Sequence, residues 1–505
     1  MPSTSSGPGW LPQRGRQGAI DRETLWYDYA VGVESPDLPP WLLRGDSGDP
    51  AQPAPVAVAD LLATPGAPKP WPRGLWSSAR LTSFPQQPSP LEPTNGDAVL
   101  RLAAHAVAPV RRDPDDPYND HRAYASPRCA FPVHLSVVIH GEWHALDPDR
   151  RLVIPTGVRA DPAHARGAMA LSGRWDRIPS AYGWFRGSLV AIETGILLRH
   201  LAALSRLHAT PVTLEPPRTG WEDQAPARLW RDPSGWSPPY VLTAGDPTAK
   251  REDHITPWDL AVGAVHDDDA ATDLARIYRS HTLNTAAGPL PTGVAETSTG
   301  GDSWSQVLWR RSAGRMPRGL YGFRVAETAL TLDDAQAVAR WAGSAAPPTV
   351  ASATDGLRLY AVVRNVEGLT PGVHEIINDR FVHRSTAPQN ALDRFASAYL
   401  YGSDPSSGND IARAPLVLVV TSQPRDAVTQ FGIGAWTATQ VATGWLTHGV
   451  SLGAAARHLV ARPVRALDER DVADALALHD DEMVGLAIVI SHHAPHGGLQ
   501  IDLRS

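Results

Sequence analysis

Leu308-Trp309-Arg310-Arg311-Ser312-Ala313-Gly314-Arg315 sets three arginines and a serine within six residues, directly after the apolar run Val307-Leu308-Trp309. Guanidinium forks offer paired donors that match phosphate and carboxylate oxygens, and a hydroxyl adds one adaptable donor. Such a cluster suits an anionic ligand, and it equally suits a solvated basic helix end. What lies on either side of it decides between the two.

Two segments of similar plan flank the cluster. In the first, Gly96–Val107 predicts a helix with apolar Val99, Leu100, Leu102, Ala103 and Val107, and Val133–His140 predicts a strand. Gly187–Leu207 predicts a long helix, because Leu189, Ile192, Ile196, Leu197, Leu201 and Leu204 recur at three and four residues. Tyr240–Thr243 reads as a short strand. After the cluster the order returns. Thr331–Ala342 is a helix opened by Thr331 and Asp333-Asp334, Leu357–Val366 and Pro415–Thr421 are strands, Ala435–His448 is the second long helix, and Val484–Ile490 is a last strand. Ser126 and Ser352 lie 226 residues apart, and His208 and His448, each taken to close a long helix, lie 240 apart. Similar offsets for features in one order favour a diverged duplication.

The expected organisation is an N-terminal extension (1–72), a first unit (73–249), a linker (250–302) and a second unit (303–505). Met1–Gly18 is a Ser, Gly, Pro and Arg tail, and Pro36–Pro72 is proline-rich with one helical insert at Val56–Leu62. The linker carries one helix, Asp267–Ser280. Its Asp267-Asp268-Asp269 caps that helix; a calcium loop needs alternating ligands and a glycine, which this run lacks.

The cluster resembles the Arg-Arg-Ser signature of nitroreductase-fold flavoproteins, where it holds the phosphate and ribityl chain of FMN. In the first unit, Arg122-Ala-Tyr-Ala-Ser126-Pro-Arg-Cys-Ala-Phe131-Pro132 is similar to the Arg-Pro-Ser-Pro-Ser-Ala-Gly-Ala-Leu-Tyr-Pro stretch of the SagB-type branch of that fold. Arg122, Ser126 and Pro132 match, and Phe131 replaces a tyrosine. Tyr182-Gly183-Trp-Phe-Arg186 followed by Glu193-Thr-Gly195 resembles the branch's Lys-Tyr-Gly…Arg…Glu-Ala-Gly run, with Ala181 where the lysine is expected. The lysine–tyrosine pair is associated there with oxidation of azolines to azoles. The motifs are scattered over roughly 75–245 and 305–505, and their order and spacing give them their value.

The resemblance implies an α+β (α/β/α) fold, two tandem nitroreductase-like domains forming an intrachain pseudo-dimer, and an FMN at the interface. The first site would combine Arg310, Arg311, Ser312 and Arg315 with Arg122 and Ser126, and Arg504 would supply a late basic residue. The second would combine Ser77-Ser78-Ala79-Arg80 with Ser352-Ala-Thr-Asp355, which lacks the arginine pair and holds a carboxylate. One FMN per chain is therefore expected. Tyr182 would be the catalytic base, taking a proton while the ring's hydride goes to the flavin, with Arg186 as the nearby cation; packing or substrate orientation is the other role open to it.

Forty-two per cent of the residues are hydrophobic and 20% charged, enough for a packed core in 505 residues. A net charge of -7 gives no electrostatic case for nucleic acid. The single cysteine, Cys129, excludes an internal disulfide and a multi-cysteine metal site. Ser491-His492-His493-Ala-Pro-His496 lacks a partnered carboxylate and reads as a solvated loop, so no metal is expected. Met1–Gly9 has no apolar core for a signal peptide, and the runs Pro415–Val420 and Met483–Ile490 are too short to span a bilayer. A cytoplasmic protein without a membrane partner is expected. Its partner would be a modified precursor peptide, such as a thiopeptide precursor, with a cyclodehydratase or leader-binding protein as a further partner. The chain would be a monomeric pseudo-dimer or a weak homodimer. A NAD(P)H-dependent flavin reductase or nitroreductase, and a flavin-free peptide- or enzyme-binding scaffold, are the competing classes.

Overall fold

A computed structural model describes residues 56–76, 96–112, 120–179, 182, 185–218, 220–244, 278, 281–282, 287–291, 299–314, 325–343, 347, 356–384, 387–388, 390–399, 411–424, 427–428, 432, 434–479, 482–493 and 500–504. In the first half, β1 (Lys69–Pro70) is followed by α1 (Gly96–Val107), β2 (Pro109–Arg112), β3 (Asp120–Arg122) and β4 (Val133–Ile139). Then come β5 (Glu142–Asp147), β6 (Leu152–Arg159), β7 (Ala168–Gly173), α2 (Phe185–Leu207), β8 (Val212–Glu215) and β9 (Tyr240–Ala244). After β10 (Gly288–Pro289), the second half runs α3 (Trp304–Arg310), α4 (Leu332–Ala342), β11 (Arg358–Val363), β12 (Gly372–Ile377) and β13 (Arg380–His383). It ends with α5 (Ala391–Ser397), β14 (Leu416–Ser422), α6 (Gly434–Ala456), β15 (Leu459–Val464), α7 (Glu469–Leu476), β16 (Met483–His492) and β17 (Ile501–Asp502).

The two large sheets share one strand order. The first runs β1-β6-β5-β4-β7-β9-β8-β10, and the second runs β13-β12-β11-β14-β16-β15, every pairing antiparallel. Strand for strand, β6-β5-β4-β7-β9-β8 corresponds to β13-β12-β11-β14-β16-β15. A third, small sheet, β17-β2-β3, carries the C-terminal strand onto the first half.

Both faces of each large sheet are covered, so β7 and β14 are buried throughout rather than alternating. Leu135, Val137, Met169 and Leu171 of one sheet and Leu359, Ala361, Leu418 and Ile488 of the other share one core with α1, α2, α4 and α6. The outer face of the second sheet packs Tyr360, Val419 and Val489 against Phe395 of α5 and Leu476 of α7. The outer face of the first packs Val138, Trp143 and Ala170 against Trp230 and Trp236, whose rings stack at 3.7 Å.

The long helices α2 and α6 cross at glycines. A Cβ on Gly195 would lie 1.8 Å from the Val441 carbonyl oxygen, and one on Gly444 would lie 1.9 Å from that of Ile192. Gly195 and Gly444 are 249 residues apart, as are Ile192 and Val441, so the crossing is reciprocal. Only glycine permits backbones to approach this closely.

The 240-residue offset is corrected by this register. His208 lies beyond the end of α2, whereas α6 continues past His448 to Ala456. Beyond His448 the small residues are packing positions: a Cβ on Gly449 would meet the Trp341 carbonyl oxygen at 2.4 Å, and one on Gly453 the Trp341 ring at 2.7 Å. Gly453 thus serves the α4 contact. Helix α2 is also long and apolar enough to cross a bilayer, but its apolar window is wholly buried in the core.

Candidate functional site

The arginine cluster begins on α3, which Ser303 and Gln306 open with a reciprocal capping box. Arg311 falls just past the helix, and its guanidinium turns into the first half, where Nη2 donates to the Arg122 carbonyl at 2.8 Å. Arg111 of β2 donates in return to the carbonyls of Trp309 (2.7 Å) and Arg311 (3.3 Å), placing a cation at the C-terminal end of α3. Arg311 is 4% exposed. Burial, with Arg111 beside it, pushes its guanidinium down to about 9; the groups that favour its charge are Cys129 and Tyr124, neither a carboxylate. Its buried Nε makes no hydrogen bond.

The other expected contacts divide. Arg310 is held in a bidentate pair by Asp302, at 2.5 and 2.9 Å, with His458 also at 3.1 Å from that carboxylate. Of the two arginines expected together at the anion site, Arg310 has its fork paired with Asp302, whereas Arg311 turns into the first half. Ser312 accepts from the Gly314 N–H at 3.1 Å, and its carbonyl accepts from Ala461. Arg504, brought beside α3 by β17, donates to Asp502 (2.6 and 2.9 Å) and to the Ser305 carbonyl (2.6 Å) and hydroxyl (2.8 Å). It braces the C-terminal arm. Arg315, Ser77–Arg80 and Ser352–Asp355 lie outside the described residues.

Arg122 is 6% exposed; it donates to Tyr124 Oη at 3.0 Å and Asp149 at 3.4 Å, and lies 4.1 Å over the Phe131 ring. Ser126 sits in the loop from β3 to β4. Its Oγ accepts from the Phe131 N–H at 2.8 Å and donates to Glu193 Oε2 at 2.5 Å. The other oxygen of Glu193 accepts from the Val133 N–H at 3.2 Å. Burial pushes the Glu193 carboxyl up to about 7, opposed by those hydrogen bonds and by Arg122 and Arg177. Within the same loop Arg128, Cys129 and Phe131 have φ of 51°, 54° and 49°. Side-chain-bearing residues in the left-handed region cost of order 1–3 kcal/mol each and persist only where their surroundings hold them.

Tyr182 is half-buried against Trp175, Phe185 and Tyr278. Its hydroxyl oxygen accepts from Arg128 Nη1 at 3.1 Å. The cation on the phenol oxygen here is Arg128, from the Ser126 loop. Across the halves, the electrostatic surroundings of Tyr399 include both Tyr182 and Arg462, so second-half residues border the tyrosine. Behind Arg311, His200 of α2 and His448 of α6 meet at 3.3 Å; burial pushes His200 down to about 3 and lowers His448 well below the usual imidazole range, with Arg311 contributing to both.

What the arrangement offers, among the described residues, is a buried guanidinium without a carboxylate partner, reached from both halves, next to a strained loop and a half-buried phenol. An isolated buried charge is costly unless paired, so the donor set around Arg311 fits a phosphate-bearing ligand. Arg111, Tyr124, Arg128, Glu193, His200, His448 and Asp302 were not assigned from sequence. Glu193 had a signal, being the one carboxylate in α2; Arg128 and Arg111 had none. His492 faces the Ala329 carbonyl at 3.3 Å, and His496 lies outside the described residues. Among the described residues no group of three or more His, Cys, Asp or Glu could hold a metal.

No protein-family model matches the chain, and no curated protein matches it. Solved structures do. A presumed nitroreductase from Anabaena variabilis aligns over 89% of this chain and 95% of its own, at 14% identity and a TM-score of 0.59. The E. coli microcin synthetase McbBCD complex with truncated pro-MccB17 bound aligns over 36% of this chain and 70% of that one, at 16% identity and a TM-score of 0.30. A presumed nitroreductase from Ralstonia eutropha aligns over 38% and 83%, at 17% identity and 0.27. The first of these shows the fold: the chain has a nitroreductase-like fold along most of its length. The other two are too distant to carry an argument.

Proposed function

We propose that this chain is an FMN-dependent azoline dehydrogenase, oxidising thiazolines or oxazolines to azoles in a ribosomally made peptide such as a thiopeptide precursor, in the cytoplasm. Its halves form an intrachain pseudo-dimer with domains near 73–249 and 303–505, and one FMN lies between them. A cyclodehydratase or leader-binding protein would deliver the peptide. The observation that carries this reading is Arg311: a second-half guanidinium buried against the first half, with no carboxylate among the groups that favour its charge. The shared strand order and the reciprocal 249-residue crossing support the fused-dimer part.

Arg311, with Arg111 behind it, would hold the phosphate. Bound there, FMN supplies the two-electron acceptor. Aromatisation of an azoline removes one hydride equivalent and one proton. Tyr182 would take the proton, with Arg128 donating to its oxygen. Tyr182 packs against the apolar cluster that contains Trp175 and Phe185.

The test is flavin binding. Wild-type protein reconstituted with FMN should hold about one per chain. A charge-assisted contact is worth roughly 1.5–3 kcal/mol, so Arg311→Ala should weaken binding roughly 10- to 150-fold. Arg310→Ala, which removes a guanidinium already satisfied by Asp302, should change it less than Arg311→Ala. Wild-type affinity in Arg311→Ala would show that the anion site lies elsewhere.

A further inference from the structure

We infer that Glu193 is a positioning residue that shapes the Ser126–Pro132 loop and thereby holds Arg128 against the Tyr182 hydroxyl. The chemistry assigned to Tyr182 rests on the function proposed above; the positioning itself rests on geometry.

The contacts form one chain. Glu193 is fully buried on α2, and it lies two residues before Gly195, where α2 crosses α6 against the Val441 backbone. The crossing fixes where its carboxyl sits. One oxygen takes the Ser126 hydroxyl at 2.5 Å and the other the Val133 N–H at 3.2 Å, while Ser126 Oγ takes the Phe131 N–H at 2.8 Å. The carboxyl thus fastens both the start of the loop and its entry into β4. Between those points lie Arg128, Cys129 and Phe131, all at positive φ. An open loop would relax from such conformations. Arg177 Nε adds a bond to the Ala130 carbonyl at 3.2 Å, and the Cys129 and Ala130 N–H groups close back on Ser126 and Pro127. The loop so held presents Arg128 to Tyr182 at 3.1 Å.

The charged and titratable groups around the carboxyl are Arg122 on β3, Tyr124 after it, and Arg177 after β7. Burial outweighs the two arginines, so the carboxyl gains its proton close to neutrality. As an ionised acceptor it engages the Ser126 hydroxyl fully. Once protonated it can still accept, but it loses the charge that strengthens its hydrogen bonds from the Ser126 hydroxyl and the Val133 N–H. If the loop loosens by breaking these hydrogen bonds while the carboxyl stays buried on α2, it should be tightest on the alkaline side of this titration, even though ionising the buried group costs the whole fold stability.

The experiment is amide hydrogen exchange on the flavin-free protein, followed at Phe131 and Val133 and corrected for intrinsic rates across neutral pH. Wild type should gain protection as pH rises through about 7, the value to which burial moves Glu193. Glu193→Gln should abolish that pH response while keeping partial protection, and Glu193→Ala should cut protection at both amides at least tenfold at every pH. Ser126→Ala, which leaves α2 untouched, should expose Phe131 more than Val133. Cys129, the only cysteine in the chain, gives a second reading: its alkylation at fixed pH should be faster in Glu193→Ala than in wild type. Wild-type protection in both Glu193→Ala and Ser126→Ala overturns the proposal, as does a pH response that survives in Glu193→Gln. None of these readings uses turnover. A loosened loop in Glu193→Ala beside full activity in Tyr182→Phe would leave the positioning standing and remove the proposed chemistry.

Discussion

Gly195→Ala gives a prediction whose sign separates tertiary packing from local propensity. In a helix interior, alanine replaces glycine with a gain of about 0.5–1 kcal/mol. Here the new methyl would stand 1.8 Å from the Val441 carbonyl oxygen, 2.7 Å from its carbon and 2.9 Å from the Trp445 nitrogen. These are backbone atoms of α6, which no rotamer change can move. Relief requires α2 and α6 to part, and both lie inside the core shared by the two sheets. Overpacking a core costs roughly 1–3 kcal/mol, and a backbone obstacle sets the upper end. The net expectation is a loss of about 2 kcal/mol in urea unfolding. Gly444→Ala should lose a similar amount, because its methyl meets the Ile192 carbonyl oxygen at 1.9 Å. A midpoint at or above that of wild type in either variant would refute the helix crossing.

Tyr182→Phe keeps the ring and removes the hydroxyl, so it should retain fold and flavin while azoline oxidation falls roughly 10²–10⁴-fold; a peptide turnover assay beside flavin absorbance distinguishes loss of the base from loss of cofactor. Acid should destabilise the protein through its buried histidines. Burial pushes His134, His200 and His281 down to about 3 and His208 to about 4, so they stay neutral in the folded state and protonate on unfolding. Their contribution is complete above about 6.5 and falls as pH drops toward the folded values, by about 1.4 kcal/mol per histidine one unit below 6.5. Calorimetry that found no decline between pH 6.5 and 5.5 would contradict their burial. Glu193 runs the opposite way. Its folded pKa is raised from 4.5 to about 7, so stability from this group is greatest below 4.5 and is lost as pH rises to 7. Against wild type, Glu193→Gln should flatten that alkaline decline, which paired unfolding curves at pH 6 and 8 would show.

Periodic apolar segments were legible. The Gly96–Val107 helix has the expected bounds, Thr331 caps α4 through the Asp334 N–H, and the strands near 133, 240, 358, 416 and 483 all occur. The β5–β7 meander was not legible. Its outer face is covered by Trp230 and Trp236, so Ala168–Gly173 shows no alternation, and Leu152–Arg159 carries a proline and a glycine. The length of α6 was hidden because Gly449 and Gly453 resemble a helix end until Trp341 is seen against them. At the site, Arg311, Arg122, Ser126 and Tyr182 do come together around one loop, while Arg310 and Arg504 are taken by Asp302 and Asp502. No sequence rule reveals that a carboxylate eight residues upstream of an arginine folds back onto it. Arg128 was silent because its reach to Tyr182 depends on a backbone conformation that arginine rarely adopts.

Azoline oxidation is tested by mixing the FMN-loaded protein, without oxygen, with a peptide bearing a thiazoline. The flavin absorbance should bleach as the peptide loses about 2 Da per ring, the two hydrogens of aromatisation. Tyr182→Phe should do neither at the wild-type rate. A flavin that bleaches with NAD(P)H but not with azoline peptides, whose mass stays unchanged, would contradict it.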